Sequence, residues 1–401
     1  MLILVVNAGS SSLKYQVIQM DNQTVIAKGL VERIGIDGSK LTQTANDKKT
    51  IIEKPMENHT EAIKYMLQAL TSGENPPIHD MNDIYAVGHR VLHGGDRFSA
   101  SAVVNDDVIE AIKDAIPLGP LHNPANLMGI QACIKVMPNT PQVAVFDTAF
   151  HQTMPKKAFL YGVPMDYYKR LKIRRYGFHG TSHRYVSARA IEFLRLDKNN
   201  SKVITCHLGN GSSICAVQNG KCVDTSMGLT PLEGLLMGTR SGNLDPAVVQ
   251  FIANSDNLSV DEVLNICNKK SGLLGISGIS SDMRDIEKAA SEGDENAIVA
   301  RDMLVAGIKK YIGAYAAIMG GVDAIIFTAG IGENGPDLRE RVIDGLEFLG
   351  VKLDKELNNC KGIERIISTK DSKVLVAVVP TNEEIAIAKD TVELVSALKN
   401  N

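Results

Sequence analysis

No apolar run in the 401-residue chain approaches the roughly 20 residues that a bilayer-spanning helix needs, so no transmembrane segment and no membrane partner are expected. The apolar stretch Met1-Leu2-Ile3-Leu4-Val5-Val6 lacks a basic flank and stops at Asn7-Ala8-Gly9. It is too short for a signal peptide and reads as a buried strand. Basic residues are not in surplus: 43 Lys and Arg against 46 Asp and Glu give a net charge of −3. That leaves nothing to grip a phosphate backbone and argues against nucleic acid as a partner. No C-x-x-C pair occurs among Cys133, Cys206, Cys215, Cys222, Cys267 and Cys360, which therefore read as reduced thiols of a cytoplasmic protein. A G-x-x-x-x-G-K-[ST] loop is also missing, which excludes a P-loop NTPase.

With 44% hydrophobic and 22% charged residues over this length, the composition is globular and predicts two domains of similar size. Short β-branched runs at 2–6, 143–146, 203–206, 322–328 and 374–379 alternate with helical periodicity at 302–319 and 383–398, an α/β pattern. For the last helix, Thr381 and Glu384 form a capping box, and Ile385, Ala388, Val392, Val395 and Leu398 make one apolar stripe that must pack on something. An internal echo sets Asn7-Ala8-Gly9-Ser10-Ser11-Ser12 against Gly209-Asn210-Gly211-Ser212-Ser213-Ile214 at an offset of 202. In each, a strand enters a tight Gly-Ser turn and a second strand leaves it, as a duplicated unit would.

A Gly-rich turn between strands exposes backbone N–H groups in a concave nest, so both loops can cradle phosphate oxygens or be plain hairpin turns. Residues Val322–Gly335 read as a strand followed by a formal G-x-G-x-x-G, with a helix after Pro336 and Asp354 near the spacing of a ribose-binding acid. Its late position and the lack of further βαβ units favour a nucleotide loop over a dinucleotide fold. Arg90 and Arg240 stand in Gly-flanked segments, 88–95 and 236–242, where small neighbours admit an anion. A surface ion pair is the alternative for each. His179 and His183 are four apart, but a glycine lies between them and H-E-x-x-H lacks its Glu, which favours a capping or phosphate-binding histidine over zinc. His122 and Asp147 follow apolar runs, where an α/β sheet presents working residues. Asp147 can hold Mg through water or cap a helix.

Together, Val6-Asn7-Ala8-Gly9-Ser10-Ser11-Ser12-Leu13-Lys14, the segment from His89 to Gly95, Gly177-Phe178-His179-Gly180-Thr181-Ser182-His183, the segment from Leu236 to Gly242, and Thr381-Asn382-Glu383-Glu384 resemble the acetate kinase (acetokinase) family from end to end. The resemblance implies an α/β fold of two duplicated domains of the actin/hexokinase-like, ribonuclease H-like type, with ATP in the interdomain cleft. The expected division is 1–150 plus the C-terminal helix 382–401 as the acyl and phosphate domain, and 151–381 as the nucleotide domain. It implies an ATP-dependent kinase for acetate, usually a homodimer, using Mg2+ or Mn2+, with acetyl phosphate and ADP as products.

Carried over position by position, the resemblance places Asn7, Arg90, His179 and Arg240 around the transferring phosphoryl group, while Asp147 and Glu383, with Asn7, position the metal. Ser10, Ser12 and Lys14 line the first phosphate loop, and His207, Leu208, Gly209, Asn210 and Gly211 the second. Asp282, Met283 and Arg284 match a nucleotide-contacting segment, and Gly330, Ile331, Gly332, Glu333 and Asn334 the adenosine loop. Arg90, Val91, Leu121, His122, Phe178 and Pro231 are expected at the acyl group. Asn243 departs from the family, which more often has Asp there. Propionate or butyrate kinase is the runner-up within this class. From other classes, an NAD-dependent dehydrogenase on Gly330–Gly335 and a non-catalytic ATP-binding module like actin are the rivals.

Overall fold

A computed structural model describes residues 1–74, 76–120 and 122–399. The chain forms two compact units, Met1–Ala149 with the segment beginning at Asn382, and Phe150–Thr381. The first holds strands β1 (Leu2–Ala8), β2 (Ser12–Gln19), β3 (Thr24–Glu32), β4 (Lys40–Ala45), β5 (Lys48–Glu53), β6 (Ile84–Val91), β7 (Ala102–Val103) and β8 (Gln142–Phe146). They make one sheet in the order β5-β4-β3-β2-β1-β6-β8-β7, with β1, β6 and β8 parallel and β1 to β5 antiparallel in sequence. Alternation along β1 turns Leu4 and Val6 to one face, where Ala62, Ile63, Met66 and Leu67 of helix His59–Thr71 and Ala132 and Cys133 of helix Asn123–Val136 complete a core.

The C-terminal helix Glu383–Lys399 packs on β1, β6 and β8. Its approach needs Gly88: a Cβ there would sit 2.4 Å from Thr391 Oγ1 and 2.7 Å from Ile387 Cγ2. The helix is capped by Asn382, whose Oδ1 accepts from Ile385 N at 3.0 Å. The expected Thr381 cap is displaced by one residue, because Thr381 N donates instead to Glu333 Oε1 at 3.1 Å. The apolar stripe holds at Ile385, Ala388 and Val395, but Leu398 is exposed, and Ala386, Ile387 and Thr391 are buried in addition.

The second unit holds β9 (Lys202–Leu208), β10 (Ser212–Gln218), β11 (Lys221–Thr225), β12 (Ala324–Thr328), β13 (Arg365–Ile366) and β14 (Leu375–Val378), ordered β11-β10-β9-β12-β14-β13. Strands β9, β12 and β14 are parallel, and β9, β10 and β11 are antiparallel. One face packs Ile204, Cys206, Ile325 and Phe327 under helix Glu295–Met319; the other packs Val203, Ala324 and Ile326 against Val186 and Ala190 of helix Gly180–Phe193. A sheet buried on both faces explains why these strands read as continuous apolar runs.

The orders β3-β2-β1-β6-β8 and β11-β10-β9-β12-β14 repeat one topology, the ribonuclease H-like one. The repeat is offset by 200 rather than 202: β1 ends at Ala8 and β2 begins at Ser12, as β9 ends at Leu208 and β10 begins at Ser212. Matching Gly-Ser-Ser triplets had shifted the overlay by two residues. Among the described residues no helix is long and apolar enough to cross a membrane.

Candidate active site

In the first unit, parallel strands end at the residues that matter. Arg90 lies within β6 rather than in a Gly-flanked turn, and Asp147 follows β8. Arg90 Nη2 donates to Asp147 Oδ2 at 2.9 Å, and Arg90 Nε lies 3.9 Å from Glu383 Oε2 at the start of the C-terminal helix. The Asp147 side chain is 1% exposed and that of Glu383 25%. Asp147, then burial in the opposite sense, then Glu383 act on Arg90, whose affinity for its proton is raised on balance. Burial, and next the charge of Asp147, push the Glu383 carboxyl up to about 7 against the pull of Arg90. One guanidinium thus faces two carboxylates, an excess of hard anionic oxygen that suits Mg2+ or Mn2+.

The first loop is held from below. Gly9 N donates to Ser12 O at 2.8 Å, and His59 Nε2 bonds Gly9 O at 2.8 Å. Ser10 is exposed at the tip, and Asn7 and Lys14 line a cavity of about 300 Å³ that Glu384 also borders. Asn126 ties two strand ends together, its Nδ2 donating to Ala8 O at 2.9 Å and its Oδ1 accepting from Leu92 N at 3.0 Å. His122 is exposed just before this helix. Leu121 lies outside the described residues.

In the second unit, Gly209 N donates to Gly211 O at 3.2 Å and to Ser212 Oγ at 3.2 Å, closing the second loop. A Cβ on Gly211 would lie 3.4 Å from the His179 ring and 3.5 Å from Arg240 Nη1, so the loop, the imidazole and the guanidinium converge. Arg240 Nη1 donates to Pro231 O at 3.0 Å and to Met237 Sδ at 3.5 Å. Among the described residues Arg240 makes no ion pair, and burial lowers its hold on its proton. Asn243, the departure from the family, supports this loop: its Oδ1 accepts from Gly234 N at 2.9 Å and its Nδ2 donates to Tyr311 Oη at 2.8 Å.

His179 has φ 58°, and its side chain caps nothing at helix Gly180–Phe193. It stacks on His207 with centroids 4.1 Å apart, and its Nδ1 meets Ser213 Oγ at 2.9 Å. Ser213 Oγ also meets His183 Nε2 at 2.7 Å, and His183 Nδ1 meets Thr205 Oγ1 at 2.7 Å. One hydroxyl proton shared by two imidazoles links their tautomers. Burial, reinforced by His151 and His207, holds His183 neutral, well below the usual histidine range.

A cavity of about 610 Å³ is lined by Gly209, Asn210, Asp282, Met283, Arg284, Gly330, Ile331 and Asn334. These expected nucleotide residues are brought together. Gly332 and Glu333 are not among its lining. Gly332 is buried under Cys206 and Leu208, and Glu333 Oε1 accepts from Ala329 N at 2.8 Å, bracing a residue held at φ 64°. Val91 is 0% exposed in the cluster of Val108, Ile112, Ile130 and Phe146, and Phe178 is 1% exposed, so neither offers surface to a ligand here. Close packing takes these two of the side chains expected at the acyl group, whereas Pro231 is half-buried with its carbonyl on Arg240.

Sequence reasoning missed Ser213, Asn126, His59, and Lys361 in the wall of the larger cavity. Only Ser213 carried a signal, as the second serine of the Gly211-Ser212-Ser213 triplet.

The family model of the acetokinase family matches residues 2–389. The chain is 60% identical over 400 residues to the acetate kinase of Thermoanaerobacterium thermosaccharolyticum, covering 100% of both chains. Among solved structures, the acetate kinase of Porphyromonas gingivalis matches with a TM-score of 0.95 at 49% identity, over 98% of this chain and 99% of that one. A propionate kinase from Francisella tularensis matches with a TM-score of 0.90 at 41% identity, over 98% and 99%.

Proposed function

The chain belongs to the acetokinase family, and from that premise we propose that it is an acetate kinase, transferring the γ-phosphoryl group of ATP to acetate and running the reverse reaction. The observation that carries the chemistry is Arg240. A partly buried guanidinium whose hydrogen-bond partners among the described residues are a carbonyl and a thioether, beside His179 and the Gly209–Gly211 turn, is a cation awaiting an anion.

Acetate ionises in the range of a glutamate, about 4.3, so at neutral pH it is already a nucleophile and needs no general base. The obstacle is repulsion, about 4 kcal/mol for two unit charges at 4 Å in an effective dielectric of 20. An acetate oxygen bonds to the γ-phosphorus as the bond to the bridging oxygen breaks in line, and the electron pair leaves on ADP. No proton moves. Arg240 and His179 meet the phosphoryl oxygens as they flatten, and Arg90 does so from a position fixed by Asp147. Asp147 and Glu383, with Asn7, would hold Mg2+ or Mn2+, which when bound supplies positive charge to the nucleotide phosphates. Ser10, Ser12 and Lys14 line the first phosphate loop, and His207, Leu208 and Gly209 to Gly211 the second. The cavity of Asp282 to Arg284 and Gly330, Ile331 and Asn334 takes the nucleoside. Arg90, Leu121, His122 and Pro231 serve as the acyl contacts, and Val91 and Phe178 fix the backbones of Arg90 and His179 from the core.

The family resemblance also implies a cytoplasmic homodimer, which sedimentation at assay concentration checks. ATP-dependent hydroxamate formation across acetate, propionate and butyrate tests the function. We expect acetate to lead and propionate to trail by a ratio in the range of about 1–3 kcal/mol that one methylene allows. A lead for propionate would make the runner-up correct, and no hydroxamate at all would remove the assignment.

A further inference from the structure

Against the Gly177-Phe178-His179 segment lies a cluster that phosphoryl transfer does not use. His151, Cys215 and Cys222 are buried, and one ligand atom from each lies within 4.8 Å of the others. The cysteines come from β10 and β11, adjacent strands of one hairpin, with their sulfurs 3.4 Å apart. His151 Nδ1 is 3.2 Å from Cys222 Sγ, and His151 Nε2 is 3.0 Å from Phe178 O. A carbonyl only accepts, so Nε2 carries the ring proton and Nδ1 turns its lone pair toward the sulfurs. Imidazoles that bind metals are oriented in this way, their second nitrogen donating to a carbonyl or carboxylate. Bonds of about 2.3 Å to sulfur and 2.0–2.1 Å to nitrogen put tetrahedral ligand atoms about 3.5–3.8 Å apart, so the two pairs at 3.2 and 3.4 Å need outward shifts of only a few tenths of an ångström.

We propose that His151 Nδ1, Cys215 Sγ and Cys222 Sγ form a binding site for a soft, thiophilic cation of the Zn2+ class. Binding releases both thiol protons, so the two thiolates cancel the charge of the ion. That matters in a buried place, where a net charge would be costly. Three protein ligands leave one tetrahedral position for water or a small anion. Sulfur ligands select against Mg2+, which wants oxygen, and keep this site chemically apart from Asp147 and Glu383. Through the His151–Phe178 hydrogen bond, an ion here would fix the backbone next to His179.

The test is a Cd2+ titration of the reduced full-length protein in excess Mg2+, reading the ultraviolet thiolate-to-cadmium charge-transfer band and the cadmium retained after desalting. One equivalent is expected in the wild type and in Cys133→Ser, a buried cysteine outside the cluster. At least tenfold weaker binding is expected in Cys215→Ser and in Cys222→Ser, and no band in the double variant. A large excess of Zn2+ should shift the Cd2+ titration to higher concentration by competition, and Mg2+ should not. Absence of the band in the wild type overturns the proposal even if the variants fail to fold. So does a band that survives in the double variant.

Discussion

The two arginines assigned to phosphoryl transfer live in opposite surroundings. Arg90 is clamped by Asp147 at 2.9 Å with Glu383 at 3.9 Å, and its charge is more than balanced. Among the described residues Arg240 meets only a backbone carbonyl and a sulfur, and burial works against its charge. The first cluster carries surplus negative charge and is built for a cation. The second carries surplus positive charge and is built for an anion. On the roles proposed for them, the two arginines are prepared differently: one is positioned by its counter-charge, and the other has no counter-charge among the described residues.

The largest effect that would break this comparison is at Arg240. Arg240→Ala should lower kcat by about 10²–10³-fold, as loss of a preorganised donor to a developing charge does, while the melting temperature stays level or rises. Arg240→Lys should recover little of the rate, because an ammonium cannot reproduce the planar fork. A near-normal kcat in steady-state assays of Arg240→Ala would remove it from the chemistry. Next comes Glu383→Gln, which should raise the Mg2+ concentration for half-maximal rate by about tenfold or more. An unchanged Mg2+ titration would make Glu383 an ordinary first-turn acid. A smaller effect belongs to Gly211→Ala. Its Cβ would stand in the cradle, 3.4 Å from His179, without clashing, so KM for ATP should rise by about tenfold, near 1.4 kcal/mol, with stability unchanged. Equal KM values would show that phosphate does not approach this turn.

The sequence exposed what local chemistry dictates and hid what depends on distant partners. Apolar runs that are buried on both faces announced β1, β8, β9, β12 and β14, whereas β7 and β13, two residues each, have no pattern to detect. Gly88 suggested a turn beside Arg90, but its missing Cβ makes room for the C-terminal helix. Asn382 was passed over as a cap because Thr381 and Glu384 fit a capping box, yet Thr381 is occupied by Glu333, 48 residues away. The same carboxylate braces Ala329 in a left-handed conformation, which no reading of the glycine motif foretells. Val91 and Phe178 flank charged residues in sequence, and only packing shows that their side chains point into the core.

The smallest expected effect sharpens the contrast through stability. With the folded-state carboxyl of Glu383 raised from 4.5 to about 7, the folded protein binds this proton more tightly than the unfolded chain does. Its contribution to stability is therefore fully present below about pH 4.5 and is lost as pH rises through 7. Glu383→Gln keeps the shape and removes the titration, so in metal-free buffer the variant should gain on the wild type between those limits and hold a constant lead above them. A quarter of the side chain is exposed, which discounts the lead to about 1–2 kcal/mol. Adding Mg2+ should erase the difference by stabilising the wild type alone. Arg240→Ala should show no comparable pH dependence, since its guanidinium stays charged across this range. Denaturant melts at pH 5, 6, 7 and 8 decide it. Parallel curves for wild type and Glu383→Gln would mean that neither burial nor the charge of Asp147 raises the Glu383 carboxyl in the folded protein.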